Sequence, residues 1–198
     1  GDPLSGTLVL NHNEADHVFN GFIGDVGINH AGIGTTIFEN AKSGSLVISD
    51  GAVQLGTGGT TGTFDGDIEN NAALIINRSD TLVTTNDIGG SGTTTIQSGR
   101  LQIGDGGTAG SLLQDVVNND ELAFNRSDVL TVVGDVTGDG VTYVQDGRLQ
   151  VGNGGTVGSI NQDVVNNGEL AFFRSDDQLF DDVISGTGSL FKAGTNTL

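Results

Sequence analysis

A chain of 198 residues with 7 Lys and Arg against 25 Asp and Glu carries a formal charge of −18 and has no cysteine. A surface this acidic repels phosphate backbones and anionic lipid head groups, which excludes nucleic acid and membrane surfaces as partners. No apolar run approaches the ~20 residues that a membrane helix needs, while an apolar content of 35% in short alternating runs buries enough surface for a folded chain despite 34 glycines.

The chain opens Gly1-Asp2-Pro3-Leu4-Ser5, without the basic start and apolar stretch of a secretory signal, so it reads as a mature or excised piece. Residues 1–54 form a divergent first module. Leu8-Val9-Leu10-Asn11 matches Leu74-Ile75-Ile76-Asn77 at a step of 66, which is 18 more than the period of the rest, so an 18-residue insertion lies between about Asp16 and Gly44. That stretch contains Phe19, Phe22, Ile23, Val26, Ile28, Ile33, Ile37 and Phe38, apolar enough for an added coil, with a long loop as the alternative. The only histidines, His12, His17 and His30, fall in or beside it; spacings of 5 and 13 match no zinc motif, and solvent exposure is expected for all three. Ligand contacts in a repeat protein are expected where the register breaks, so Phe19, Phe22, Asn29, His30 and Phe38 are the candidate binding residues.

Residues 55–198 are regular. Leu55-Gly56-Thr57-Gly58-Gly59-Thr60-Thr61-Gly62 recurs from Ile103 to Gly110 and from Val151 to Gly158, so that Gly56, Gly104 and Gly152 follow one another at a constant step of 48. Asn77-Arg78-Ser79-Asp80 recurs as Asn125-Arg126-Ser127-Asp128 and Phe173-Arg174-Ser175-Asp176, and Gly99-Arg100-Leu101-Gln102-Ile103 as Gly147-Arg148-Leu149-Gln150-Val151, with the same step. Three anchors with one period define a repeat array. Between them apolar residues alternate: Leu101 and Ile103 flank Gln102, Leu122 and Phe124 flank Ala123. Period two means strands with one buried face, separated by Gly, Asn, Asp and Ser turns, and no 3.6-residue period predicts a helix. The steps from Leu101 to Leu122 and from Leu122 to Leu149, 21 and 27, split each module into two unequal coils. The expected fold is all-β, a single β-solenoid of about nine coils at roughly 4.8 Å per coil, a rod some 40 Å long.

On that reading Arg78, Arg126 and Arg174 share one edge of the rod, two coils or about 9.6 Å apart, beside Asp80, Asp128 and Asp176. They are either a charged ladder gripping a polymeric ligand or, preferably, turns in which Ser and Asp satisfy backbone N–H groups while Arg offsets the stacked acids. The Asn77 and Asn125 glycosylation sequons read as accidents of these turns. Nothing points to catalysis: the repeats carry no histidine, no acid pair stands at the register break, and no Gly-Lys-Ser or Gly-Lys-Thr follows the glycines. Calcium β-rolls repeat every nine residues, so the acids Asp176, Asp177, Asp181 and Asp182 read as a solvated face. No enzyme activity, cofactor or metal is expected.

Finally, Ile184-Ser185-Gly186-Thr187-Gly188-Ser189-Leu190-Phe191-Lys192-Ala193-Gly194-Thr195-Asn196-Thr197-Leu198 resembles the passenger-associated repeat of bacterial autotransporters, departing from its usual form at Phe191 and Asn196. Gly99–Gly104 and Gly168–Phe172 are similar to that family's strand-turn pattern. The resemblance covers most of residues 45–198 and implies a right-handed parallel β-helix, exported across the outer membrane to the bacterial surface through a C-terminal barrel that is not in this sequence. It implies an adhesin fragment, with a host matrix protein or glycan, or another copy of itself, as partner; a self-associating aggregation or biofilm factor and a structural stalk are the alternatives. Cysteine-free composition suits threading through a pore.

Overall fold

The computed structural model describes residues 6–21, 26–194 and 197–198. Among them every strand ladder is parallel and there is no helix. The chain winds as a three-sided β-solenoid. Three short strands, one on each face, make a coil, and glycine, Asn or Asp turns form the edges between faces. Face A begins with Thr7–Leu10, Gly27–His30, Leu46–Ile48, Ile68–Asn70, Asp87–Gly89 and Ser111–Leu112. The winding then continues it through residues 129–132 and 148–151 to Glu169–Phe173 and Ser189–Ala193. Ten passages of face A amount to nine coils and one further strand. On face B, Thr35–Phe38, Ala52–Leu55, residues 73–76 and 93–96, Asp115–Asn118 and Asp135–Thr137 stack. On face C, residues 81–84, 100–103, 121–124 and 141–144, then Asp163–Asn166, do the same. Strands such as Ala73–Thr84 bend across an edge and serve two faces.

Each strand sends alternate side chains inward, where like residues stack coil on coil. Leu55, Ile76 and Ile96 form one such column, and Ile103, Phe124 and Val144 another; all are essentially buried. Polar residues interrupt the columns at the same place in each module. Asn70, Asn118 and Asn166 are buried, and their Nδ2 atoms donate to the carbonyls of Thr93, Val141 and Ser189 at 3.0, 3.1 and 2.8 Å. Buried Thr94 and Thr142 bond to the Nε2 atoms of Gln114 and Gln162 at 2.6 and 2.5 Å.

The module is not two unequal coils. It holds seven strand positions, from residues 73–76 to Asp115–Asn118, against three per coil, so one strand is left over. Register proves the phase shift. Leu74 pairs with Val53 and Thr94 on face B. Its counterpart Leu122 pairs with Leu101 and Thr142 on face C, and the next, Leu170, with Leu149 and Leu190 on face A. Real coils step from Leu74 to Thr94, then to Val116 and Val136. Each module therefore advances two coils and one face, a rotation of about a third of a turn and a rise of about 11 Å. The residues between Asp16 and Gly44 include strands Gly27–His30, Thr35–Phe38 and Lys42–Ser43, and face A is regained at Leu46, with which Ile28 pairs.

Candidate binding surface

The Gly-rich and Arg-Ser-Asp motifs meet in space, because one stands a coil above the other at the same edge. In the Gly-rich loop Gly104, Gly106 and Gly110 have φ of +84°, +96° and +90°, a left-handed region that only glycine enters cheaply; the first, second and last glycines of the other two loops match them. A Cβ on Gly62 would lie 2.2 Å from the Gly56 nitrogen, so the loop also closes too tightly for a side chain. Over it lies the Arg turn. Gly58 N donates to Asn77 O at 2.8 Å and Ser79 N donates to Gly59 O at 2.9 Å, and the same pair recurs with Asn125 and Ser127 and with Phe173 and Ser175. Arg78 then turns inward: its Nη1 donates to Gly62 O at 2.6 Å and its Nη2 to Thr60 O at 2.7 Å. Its Nε and Nη2 grip Asp80 at 2.9 and 3.0 Å. Arg126 bonds Gly110 O and Asp128, and Arg174 bonds Gly158 O, Thr156 O and Asp176.

One alternative from the sequence falls here, and one expectation changes. The arginines are 4 to 7% exposed, so they are internal clamps on loop carbonyls and are not open to a polymeric ligand. They also do not share an edge. Arg78 lies between faces B and C, Arg126 between C and A, Arg174 between A and B, because the module is out of phase with the coil. Hydrogen bonds from Arg126 and Arg174 hold Asp128 and Asp176 below the ordinary carboxylate range.

Part of the divergent stretch is also internal. His30 and Phe38 are completely buried, so neither reaches a ligand at the surface, and the expected exposure of His30 is corrected. His30 Nε2 bonds to Gly34 O at 3.0 Å, and Thr36 Oγ1 lies 3.3 Å from His30 Nδ1 and 2.7 Å from His12 Nε2. A strand end facing the neighbouring face must have its polar tip satisfied, and His30 with Thr36 does this where Asn70 and Thr94 do it later. Burial pushes the His30 pKa down. His12 Nδ1 is buried without a partner, whereas His17 is exposed and lies 3.3 Å from Glu14. Phe19 is partly buried, edge-on to Phe38 with ring centres 6.2 Å apart. Lys42, 3% exposed, sits with its ammonium 5.6 and 5.7 Å from the Phe19 and Phe38 rings, and burial lowers its pKa. Asn29 is half-buried and accepts a hydrogen bond from Ser49 Oγ at 2.9 Å. Phe22 lies outside the described residues. No group of three or more His, Asp or Glu among the described residues is arranged to hold a metal ion.

One outer cluster is missed by the sequence reading. Tyr143 pairs with Ala123, yet its ring centre is 4.5 Å from the Arg100 guanidinium two coils below, so the ring lies back across Ala123 and buries it. Arg100 also pairs with Glu121 at 2.6 Å, which lowers the Glu121 pKa. Arg148, Glu169, Ala171 and Phe191 repeat the arrangement one module on, on face A. The outward Ala was the available sign, since an aromatic ring needs a small neighbour to lie on.

Against known proteins, a 48-residue stretch is 46% identical to the adhesin BmaC autotransporter of Brucella suis biovar 1 (strain 1330), covering 24% of this chain and 1% of that adhesin. No family model matches the chain, and no solved structure does. The matched length equals one module. The likeness and the solenoid are compatible with a fragment of an autotransporter passenger.

Proposed function

We propose that this chain is a segment of a secreted bacterial surface adhesin, an autotransporter passenger, in which a rigid β-solenoid displays adhesive surface away from the cell. The observation that carries the reading is the similarity to an autotransporter adhesin over the length of one module, in a chain whose modules build a rod. The resemblance of residues 184–198 to the passenger-associated repeat supports it. The partner is a host matrix protein or a glycan, held by many weak contacts along the rod and without a deep pocket. Attachment to the membrane runs through a C-terminal barrel outside this sequence, and the site of action is the bacterial surface. Solid-phase binding of the chain to matrix proteins and glycosaminoglycans at physiological salt tests this. Saturable binding above that of an unrelated β-solenoid is expected, and its absence contradicts host adhesion.

A stalk is the second reading, favoured by the clamps, which pin all three Gly-rich loops to the rod. Excising one whole module from the parent protein distinguishes the two. A stalk keeps its binding and loses about 11 Å of reach, whereas an adhesive rod loses affinity.

A further inference from the structure

Residues 7–18 meet the coil above them through Thr7–Leu10 on Gly27–His30 and His17–Val18 on Thr36 and Ile37. The apolar share of that contact is small. Leu10 and Phe19 are only partly buried, and Val9 and Val18 face outward. Between the two ladders stand three imidazoles, with the His12 ring centre 4.8 Å from that of His17 and 5.4 Å from that of His30. The fold does not itself demand an ionisable group here. In the column of His30 the next members are Ile48 and Asn70, and in that of Thr36 they are Val53, Leu74 and Thr94.

The hydrogen-bond partners assign the tautomers. Gly34 O only accepts, so His30 Nε2 carries a hydrogen and the neutral ring keeps its lone pair at Nδ1. Thr36 Oγ1, wholly buried, gives its one hydrogen to that lone pair. It then accepts from His12 Nε2, which leaves the His12 lone pair at Nδ1, buried and without a partner. The relay runs one way, from His12 through Thr36 and His30 to Gly34. A proton added at His30 Nδ1 turns the Thr36 hydroxyl round. Either that hydroxyl then lacks an acceptor, or His12 changes tautomer and its Nδ1–H lacks one. Both outcomes bury an unsatisfied donor beside a desolvated charge. Among the described residues few charges face this layer. The strands about His30, namely Thr7–Leu10, Thr35–Phe38 and Leu46–Ile48, carry none. The turns supply Glu14, 3.3 Å from His17, with exposed Asp16, and Asp50 from above. Lys42 of the upper coil is set against Phe19 and Phe38. Burial first, and then His12, oppose a charge on His30; Gly34 O and Asp50 favour one, and burial prevails.

We propose that the layer of His12, Thr36 and His30 is an acid-sensitive joint, at which residues 7–18 part from the coil of Gly27–Ser43 in mild acid while the modules stay closed. The parted state hydrates the rings and binds a proton that the joined state refuses. The joint is therefore closed above the ordinary histidine value of about 6.5 and opens as the pH falls below it. Repulsion between protonated rings this close together holds it open. Opening bares a strand edge on two faces, with the N–H groups of Ala31, Gly34 and Thr35 that the lower coil had satisfied through Leu10, His12 and Glu14. It also bares the side of Phe38 that Phe19 covers. The joint is independent of what the rod binds, since no clamp or Gly-rich loop takes part in it.

Amide hydrogen exchange of the 198-residue chain, read by NMR as protection relative to the unfolded chain at each pH, tests the joint. Protection of Ala31, Gly34 and Thr35 is expected to fall reversibly, by up to about tenfold per pH unit below about 6.5, as one proton taken up on opening requires. Ser127 and Val141, bonded to Gly107 O and Asp120 O in the modules, are expected to keep theirs. His30→Asn places the residue that Asn70 holds in the same column and is expected to abolish the acid response. Val9→Cys with Asn29→Cys joins paired residues of the two coils in a chain without cysteine. Oxidising that pair is expected to abolish the response with all three histidines in place, and reduction to restore it. His17→Gln, outside the relay, is expected to keep it. Protection unchanged down to pH about 5 overturns the proposal. So does a loss that the module amides share, or one that survives in His30→Asn or in the oxidised pair.

Discussion

The first coils and the regular modules solve one problem with different chemistry. Both must turn a chain sharply three times per coil while burying the polar groups at the turns. The modules do it with positive-φ glycines, an inward Arg clamp and a buried Asn. The first coils use His30 with Thr36 and His12, and a lysine buried against two phenylalanines. The clamp fixes a loop through charge-assisted bonds that survive near-neutral pH. Burial pushes the His30 pKa down, so its imidazole resists protonation, and the two regions should respond differently to sequence change and to acid.

The largest effect is expected from removing a clamp. Arg126→Ala leaves the buried Gly110 carbonyl without its donor, and an unsatisfied buried polar group costs about 1–3 kcal/mol; urea denaturation should show it, and the first coils have no equivalent residue. A loop substitution sharpens the same point. Gly106 has φ of +96° and nothing closer than 3.9 Å to a new Cβ, so Gly106→Ala isolates backbone strain and should cost about 1–2 kcal/mol. Gly59 has open space around its Cβ and no positive φ, and Gly59→Ala should leave the urea midpoint unchanged.

Acid should separate the regions by hydrogen exchange. The depressed pKa of His30 means that the unfolded state binds its proton first, so stability present above the unfolded value is lost as pH falls below about 6.5. Asp128 and Asp176 are depressed carboxylates, whose contribution is lost only below about pH 4. Amides of Gly27–His30 are thus expected to lose protection as the pH falls below about 6.5 while those of Glu121–Val132 keep theirs. Simultaneous loss would show that the two interiors are one cooperative unit. The smallest effect belongs to the outer cluster: Glu121→Gln should cost about 0.5 kcal/mol, as half-exposed ion pairs do, with a matching drop in the Tyr143 pKa because Glu121 helps to raise it.

The period and the alternation of the strands were legible because both depend on neighbours in sequence. Phase was not. Leu101 to Leu122 is a true coil step on face C, but the next member of that column is Thr142, a polar residue whose hydroxyl is satisfied by Gln162. A search for apolar spacing passes over it and lands on Leu149, on another face. The inference that the arginines share an edge fell with the same step. His30 and Phe38 were read as surface because their stretch breaks the register, yet the break is accommodated within the stack: Gly27–His30 keeps the inward alternation, and Thr36, Ile37 and Phe38 are all buried.

The seven-strand module on a three-sided coil is tested most directly by distances between equivalent loop positions. Spin labels at the exposed Thr60, Thr108 and Thr156, one per module, sample the three Gly-rich loops. Rotation by one face per module predicts comparable separations for all pairs, with Thr60 to Thr156 well short of double Thr60 to Thr108. A Thr60 to Thr156 separation double that of Thr60 to Thr108 would place the loops in line on one edge and contradict the account.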